Sequence, residues 1–221
     1  MMRRLFYITG ILLALLCLAA PAPATLSGYP FSLHMLRHTL LLLVAAPLIA
    51  LSITRNNNLR KPLAGLSRLG FRLPFLAWIT GVGLMWVWHI PTLYNSMPMQ
   101  GIGQMSNSLF DPLSVIHACS MLVGGFLFCW PVLTPFSEYR LSALKAVLYL
   151  SAACVFCSLS GLLITFAPAG TFMDASAADQ QTGGLIMWVP CCFIYLSASM
   201  YLLIRWFSQK EEIPFIQPIK N

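Results

Sequence analysis

The sequence predicts an all-α, polytopic membrane helix bundle: five transmembrane helices behind an N-terminal apolar stretch. Three observations predict it. The 221 residues are 58% hydrophobic and only 9% charged, with a mean hydropathy of +0.78, whereas a soluble domain carries about 25% charged residues. Five apolar runs reach the ~20 residues that a spanning helix needs. The basic residues also divide cleanly between alternate loops. Long unbroken apolar runs select helices over a closed barrel, the other way to satisfy backbone groups in lipid.

The first element, Leu5 to Ala20, follows Met1-Met2-Arg3-Arg4 and is followed by Ala22-Pro23-Ala24. A short apolar stretch with a basic front and a small-residue end reads as a secretory signal peptide; a retained first helix is the rival. Residues 1–24 are therefore a signal peptide or a first transmembrane helix, and 25–221 a single helical domain. The five spans fall at roughly 34–53, 74–91, 112–133, 146–167 and 183–204. Pro47 and Pro190 lie inside the first and fifth and are expected to kink them. Pro91 closes the second and Pro112 opens the third. Gly183-Gly184, at the start of the fifth, allows close helix contact or a tight turn. The loop from Arg60 to Leu69 mixes basic and apolar residues and is expected to lie along the headgroups.

The net charge of +7 reports topology and not a nucleic-acid partner. Arg3, Arg4, Arg55, Arg60, Lys61, Arg68, Arg72, Arg140, Lys145, Arg205, Lys210 and Lys220 all fall on one side if the helices alternate, and loops 92–111 and 168–182 carry no Lys or Arg. This positive-inside pattern places the C-terminus in the cytoplasm of a multi-pass protein of the bacterial inner membrane. Arg37, near a helix end, stands outside it. The seven cysteines lie in apolar stretches and do not form a secreted-type disulfide framework.

All four histidines gather at the opposite, outer end: His34 and His38 on the first span, His89 at the end of the second, His117 near the start of the third. His34 and His38, four residues apart, share a helix face and differ in depth by about 6 Å. Intramembrane ionisable groups are costly to bury singly, so four at one level predict a metal site with His34, His38, His89 and His117 as ligands. A zinc protease would need Glu beside the first histidine; Met35 stands there. Four histidines are too few for a membrane di-iron oxygenase. Haem, needing two opposed axial ligands, stays open through His38 with His89 or His117. Imidazole with few carboxylates suits copper or zinc.

Methionine tilts this towards copper, because thioethers are soft donors for Cu(I). Met35, Met85, Met97, Met99, Met105, Met121, Met173 and Met187, eight of eleven, lie in the outer half. Met85 and Met121 are each four residues from a histidine, His89 and His117, on the same faces. Met35, Met85, Met121 and Asp179 are auxiliary candidates. Asp111, Asp174 and Asp179 give a mildly negative mouth favourable to cations, although Asp179 could pair instead with Arg37. Cys154 and Cys157 share one face of the fourth span at mid-membrane, while the adjacent Cys191 and Cys192 point in different directions and read as packing.

These motifs resemble the CtaG family of membrane cytochrome c oxidase assembly proteins, the polytopic type distinct from the single-helix copper chaperone of the same name. The match runs through His34-Met35-x-x-His38 with Ala45-Ala46-Pro47-Leu48, Trp86-x-Trp88-His89-Ile90-Pro91-x-x-Tyr94, and His117 with Phe128-Cys129-Trp130-Pro131-Val132. The most specific motif is Asp179-Gln180-Gln181-x-Gly183-Gly184-Leu185-Ile186-Met187-Trp188-Val189-Pro190. The resemblance implies a non-enzymatic role in building a haem–copper oxidase: copper taken at the outer face, from a periplasmic donor, and passed to an oxidase subunit. An electron-transferring haem protein and a metal-free assembly scaffold are the alternatives. Asp179, Gln180 and Gln181 would shape the mouth of the site.

Overall fold

In the computed structural model, residues 2–19, 28–54, 56, 58, 61–96, 112–172 and 175–211 are described, with side chains except at 2–5, 18, 19, 96, 112–114 and 209–211. The described residues are all-α, without strands. Helix α1 is Met2–Ala19 and α2 is Pro30–Thr54. Helices α3 (Ala64–Arg72) and α4 (Pro74–Trp88) follow, then a short α5 (Pro91–Ser96). Next come α6 (Pro112–Leu133), α7 (Ala143–Phe166) and α8 (Ala177–Glu211). By length and composition α2, α6, α7 and α8 can cross a membrane, and α3 with α4 makes a fifth, broken span bent by 101°.

That bend refines the expected loop. Residues 61–72 form a turn and a helix lying nearly at right angles to α4, with Leu69 and Phe71 exposed and Ser67 buried. Helix α4 is then only about 22 Å long at ~1.5 Å per residue, shorter than the ~30 Å apolar core. Helix α8 errs the other way. It starts earlier than its apolar run, because the Ser176 hydroxyl accepts from the Asp179 amide (3.2 Å) and Asp179 sits in the first turn, where negative charge suits the helix dipole. Hydropathy does not register such a polar opening turn.

Helices α2, α6, α4, α7 and α8 succeed one another around the bundle, each packed on the next and α8 returning to α2, while α1 packs outside against α2. A Cβ on Gly10 of α1 would lie 3.0 Å from Ile49 Cγ1, so α1 rides close on α2. The N-terminal stretch is thus a helix docked on the bundle, with Ala14 and Cys17 buried.

Two π-turns, Leu41–Ala45 in α2 and Ile79–Gly83 in α4, sit where α6 comes nearest. A Cβ on Gly124 would lie 2.8 Å from the Thr80 carbonyl, and one on Gly125 would lie 2.8 Å from the Leu42 carbonyl. The Gly124-Gly125 pair therefore lets α6 touch both wound-out turns. Pro47 explains the first: lacking an N–H, it cannot continue the α-helical ladder. Gly183-Gly184 acts in the same way on α8. Gly183 faces Phe31 and Met35 of α2, and Gly184 faces Thr165 and Gly161 of α7, which is the close helix contact expected of the pair.

The antiparallel order brings the starts of α2, α6 and α8 to one end with the finish of α4 and α7. The other end carries Lys61, Arg68, Arg72, Arg140, Lys145 and Arg205. There the Trp130 indole donates to Ser67 Oγ (3.0 Å), Ser67 pairs with Thr134 Oγ1 (2.8 Å), and Arg140 Nε donates to the Thr134 carbonyl (2.8 Å).

Candidate metal centre

Each histidine reaches the centre from an element the sequence itself shapes. Pro30 opens α2 at its first position, and the Asp179 carboxylate of α8 accepts both the Phe31 amide (2.9 Å) and the Ser32 amide (2.8 Å). Ser32 Oγ donates to the same carboxylate (2.6 Å). These amides are orphan donors of a helix start, and a carboxylate there also meets the positive end of the dipole. One turn on, His34 and His38 point inward. On α4 the chain leaves the helix at His89, and Pro91 starts α5. His117 lies on α6, tied to α4 by Trp88 Nε1 donating to Ser120 Oγ (2.9 Å), which donates to the His117 carbonyl (2.7 Å).

All four imidazoles are buried, with exposures of 8% for His34, 3% for His38 and 6% for His89 and His117. The structure brings them together. Ring centroids are 4.9 Å apart for His34–His38, 4.7 Å for His38–His89 and 4.9 Å for the stacked pair His34–His117. Ligand nitrogens of His34, His38 and His89 all lie within 4.8 Å of one another. His117 closes the cluster from the fourth side, 5.7 Å from His38 by ring centroids, although its nitrogens fall outside that tightest set.

Five ring nitrogens of this cluster are buried without a hydrogen-bond partner: His34 Nε2, both nitrogens of His38, His89 Nε2 and His117 Nε2. Leaving a buried polar atom unpaired costs about 1–3 kcal/mol, which makes this cluster the candidate binding site. His89 is also oriented for the task. Its Nδ1 donates to the Met85 carbonyl, which fixes the tautomer and presents the Nε2 lone pair to the cluster, as supporting hydrogen bonds do for metal-bound imidazole. Imidazole–metal bonds of about 2 Å would close the set with small ring rotations, so the donors fit a small borderline-soft cation.

Three aromatic rings close the end of the cluster. Phe31, Tyr94 and Phe172 contact one another at centroid distances of 5.0–5.3 Å, and Tyr94 stands edge-on to His34 at 5.5 Å. Asn95 pins α5 beneath the 167–172 turn by donating to the Thr171 carbonyl (3.0 Å). A cavity of about 300 Å³ between α4 and α7, lined by Trp86, Pro91, Ser160, Ile164 and Phe172, reaches His89 from the side. Only Tyr94 of the three aromatic rings lay in a motif the sequence singled out; Phe31 and Phe172 carried no signal beyond being apolar.

The auxiliary candidates separate. Met85 and Met121 are buried beside His38, on one small cavity shared with Met187. Met35 is buried where α2 passes Gly183. Asp179 is not in the ligand group; its carboxylate holds the α2 N-terminus and so positions His34 and His38 indirectly. Gln180 is a strut too, donating to the Ile164 and Ala167 carbonyls at the end of α7 (3.1 and 2.8 Å). Met97, Met99, Met105, Asp111, Met173 and Asp174 lie outside the described residues. Cys191 and Cys192, expected to be packing, each meet a cysteine of α7: Cys192 Sγ lies 3.5 Å from Cys154 Sγ, and Cys191 interacts with Cys157.

Comparison with curated proteins and with solved structures finds no match. The family model for the cytochrome c oxidase caa3 assembly factor (Caa3_CtaG) matches residues 1–209. That stretch holds every element described above apart from the last two residues of α8, and the chain accordingly belongs to the family of cytochrome c oxidase caa3 assembly factors.

Proposed function

We propose that this chain binds a copper ion on His34, His38, His89 and His117 and hands it to a subunit of a haem–copper oxidase during assembly. One observation carries the reading: five buried imidazole nitrogens converge with no partner of their own. Copper here is cargo, held by exchangeable bonds, and no covalent chemistry is asked of the protein. The spacing supports an ion over a macrocycle. Rings whose centroids lie 4.7–4.9 Å apart leave no slot for a porphyrin between opposed axial ligands. The one-sided distribution of Lys and Arg supports a histidine end on the outer face of a bacterial inner membrane, where a periplasmic donor would meet it.

The test is the metal content and optical spectrum of the purified protein beside a His34→Ala/His38→Ala variant. Near-stoichiometric copper without a haem band, absent from the variant, supports delivery. A Soret band would move the assignment to electron transfer. Absence of copper from both after loading under reducing conditions would leave a scaffold. The same variant, expressed in cells lacking the native chain, should yield a caa3-type oxidase depleted of copper.

A further inference from the structure

Beside His38 lies a small cavity of about 10 Å³, lined by His38, Met85, Met121, Met187 and Cys191 together with Thr39, Leu42 and Leu43. Four helices supply the five donor side chains: α2, α4, α6 and α8. A space of this size holds about one water-sized sphere, hence one ion. A single methionine in such a place would read as gap-filling. Here three thioethers and a thiol line one small cavity together with the buried imidazole of His38.

We propose that this cavity is a second site, specific for a monovalent soft cation, Cu(I), held by the thioethers of Met85, Met121 and Met187, the thiol sulfur of Cys191 and one nitrogen of His38. Thioether and thiolate donors select Cu(I) over harder divalent ions, whereas the imidazole cluster has no such preference. His38 belongs to both places. It is in the tight nitrogen set with His34 and His89 and also on the wall of the sulfur cavity; its neutral ring offers one lone pair, so it serves one ion at a time and stands where an ion would pass between the two. The Met85 residue links them again, its carbonyl anchoring His89 while its side chain faces the cavity. The two sites form adjacent stations, one of nitrogen and one of sulfur, so an ion can pass between them without entering lipid. Sulfur continues past the cavity through Cys191 to Cys157. The role as a second station rests on the copper reading of the histidine cluster, but the sulfur site is measurable without it.

The experiment loads the purified full chain with Cu(I) under reducing conditions, against a chromophoric Cu(I) chelator, and reads stoichiometry together with the copper K-edge absorption spectrum. Wild type should hold two equivalents, with sulfur scatterers beside nitrogen. Met121→Leu/Met187→Leu, a volume-conserving change that cores tolerate, should lose one equivalent and the sulfur signal while keeping nitrogen-bound copper. His34→Ala/His89→Ala should do the reverse. Unchanged stoichiometry and scattering in the methionine variant, or a wild type with nitrogen scattering alone, would overturn the sulfur site. Copper retained in full by the histidine variant but lost by the methionine variant would instead overturn the histidine reading and leave the sulfur site standing. If the double methionine variant lowers Tm, Met187→Leu and Cys191→Ser taken singly must each weaken sulfur scattering; if neither does, the site is overturned.

Discussion

Two clusters of buried polar side chains, one at each end of the bundle, are satisfied in different ways. At the basic end, Trp130, Ser67 and Thr134 satisfy one another across helices, and the Thr134 carbonyl takes Arg140. At the histidine end, five imidazole nitrogens have been taken out of water and left open. Both arrangements pay the desolvation penalty of a polar atom in an apolar medium. In the first the compensation comes from the chain itself, so the network fastens α3 to α6. In the second, on the proposed function, it would come from the bound ion. The Asp179–Ser32 tie shows the two kinds side by side: a satisfied network placed one turn from an unsatisfied one, holding it in position.

The sharpest way to break this comparison is to remove His38, which borders both proposed sites. His38→Ala should weaken Cu(I) binding by more than about 100-fold, beyond the 10–100-fold typical of losing a mere supporting partner; chelator competition measures it, and unchanged affinity would reduce the open nitrogens to an unexplained cost. Next in size is Asp179→Ala. It strips a charged acceptor from two amides and a hydroxyl, each such bond being worth about 1.5–3 kcal/mol. Thermal unfolding should show a loss of at least about 4 kcal/mol, and copper affinity should fall with it as the α2 N-terminus loosens; lowered Tm with intact copper binding would separate the tie from the site. Ser67→Ala should cost only about 1–2 kcal/mol, since interhelical bonds in membranes average ~0.6 kcal/mol each, and should leave copper binding untouched. The smallest effect has the opposite sign. His117→Leu removes an unpartnered buried nitrogen, so the metal-free protein should be equally stable or more stable by about 1 kcal/mol. A drop in metal-free Tm matching that of Ser67→Ala would mean that the imidazole is already satisfied and that the two ends do not differ.

Much of this was legible along the chain because the bilayer imposes a one-dimensional rule. A span must be apolar for about 20 residues, alternate spans must reverse direction, and so His34, His38, His89 and His117 had to share an end. Helical periodicity also placed Met85 and Met121 on the histidine faces, and Gly183-Gly184 flagged a close approach that proved to be two, one to α2 and one to α7. Other features left no such trace. The α3 segment read as a headgroup loop because its apolar and basic residues do not sum to a span. Asp179 read as part of a charged mouth because nothing local says that the amides of Phe31 and Ser32, some 147 residues away, will take its carboxylate. Cys191 and Cys192 read as packing because the partner of each lies on another helix.

What the sequence determined by itself was partition and polarity: which segments enter lipid, which end carries the positive charge, and which end carries the histidines. These follow from transfer free energies of individual residues and need no knowledge of neighbours. What only the tertiary structure decided was azimuth, meaning which way each helix turns about its axis and how near it comes. That choice is made by interlocking shapes, the π-turns of α2 and α4 against Gly124 and Gly125, and it alone converts four histidines at one depth into four rings in contact, with three methionines and a cysteine facing a single cavity beside them.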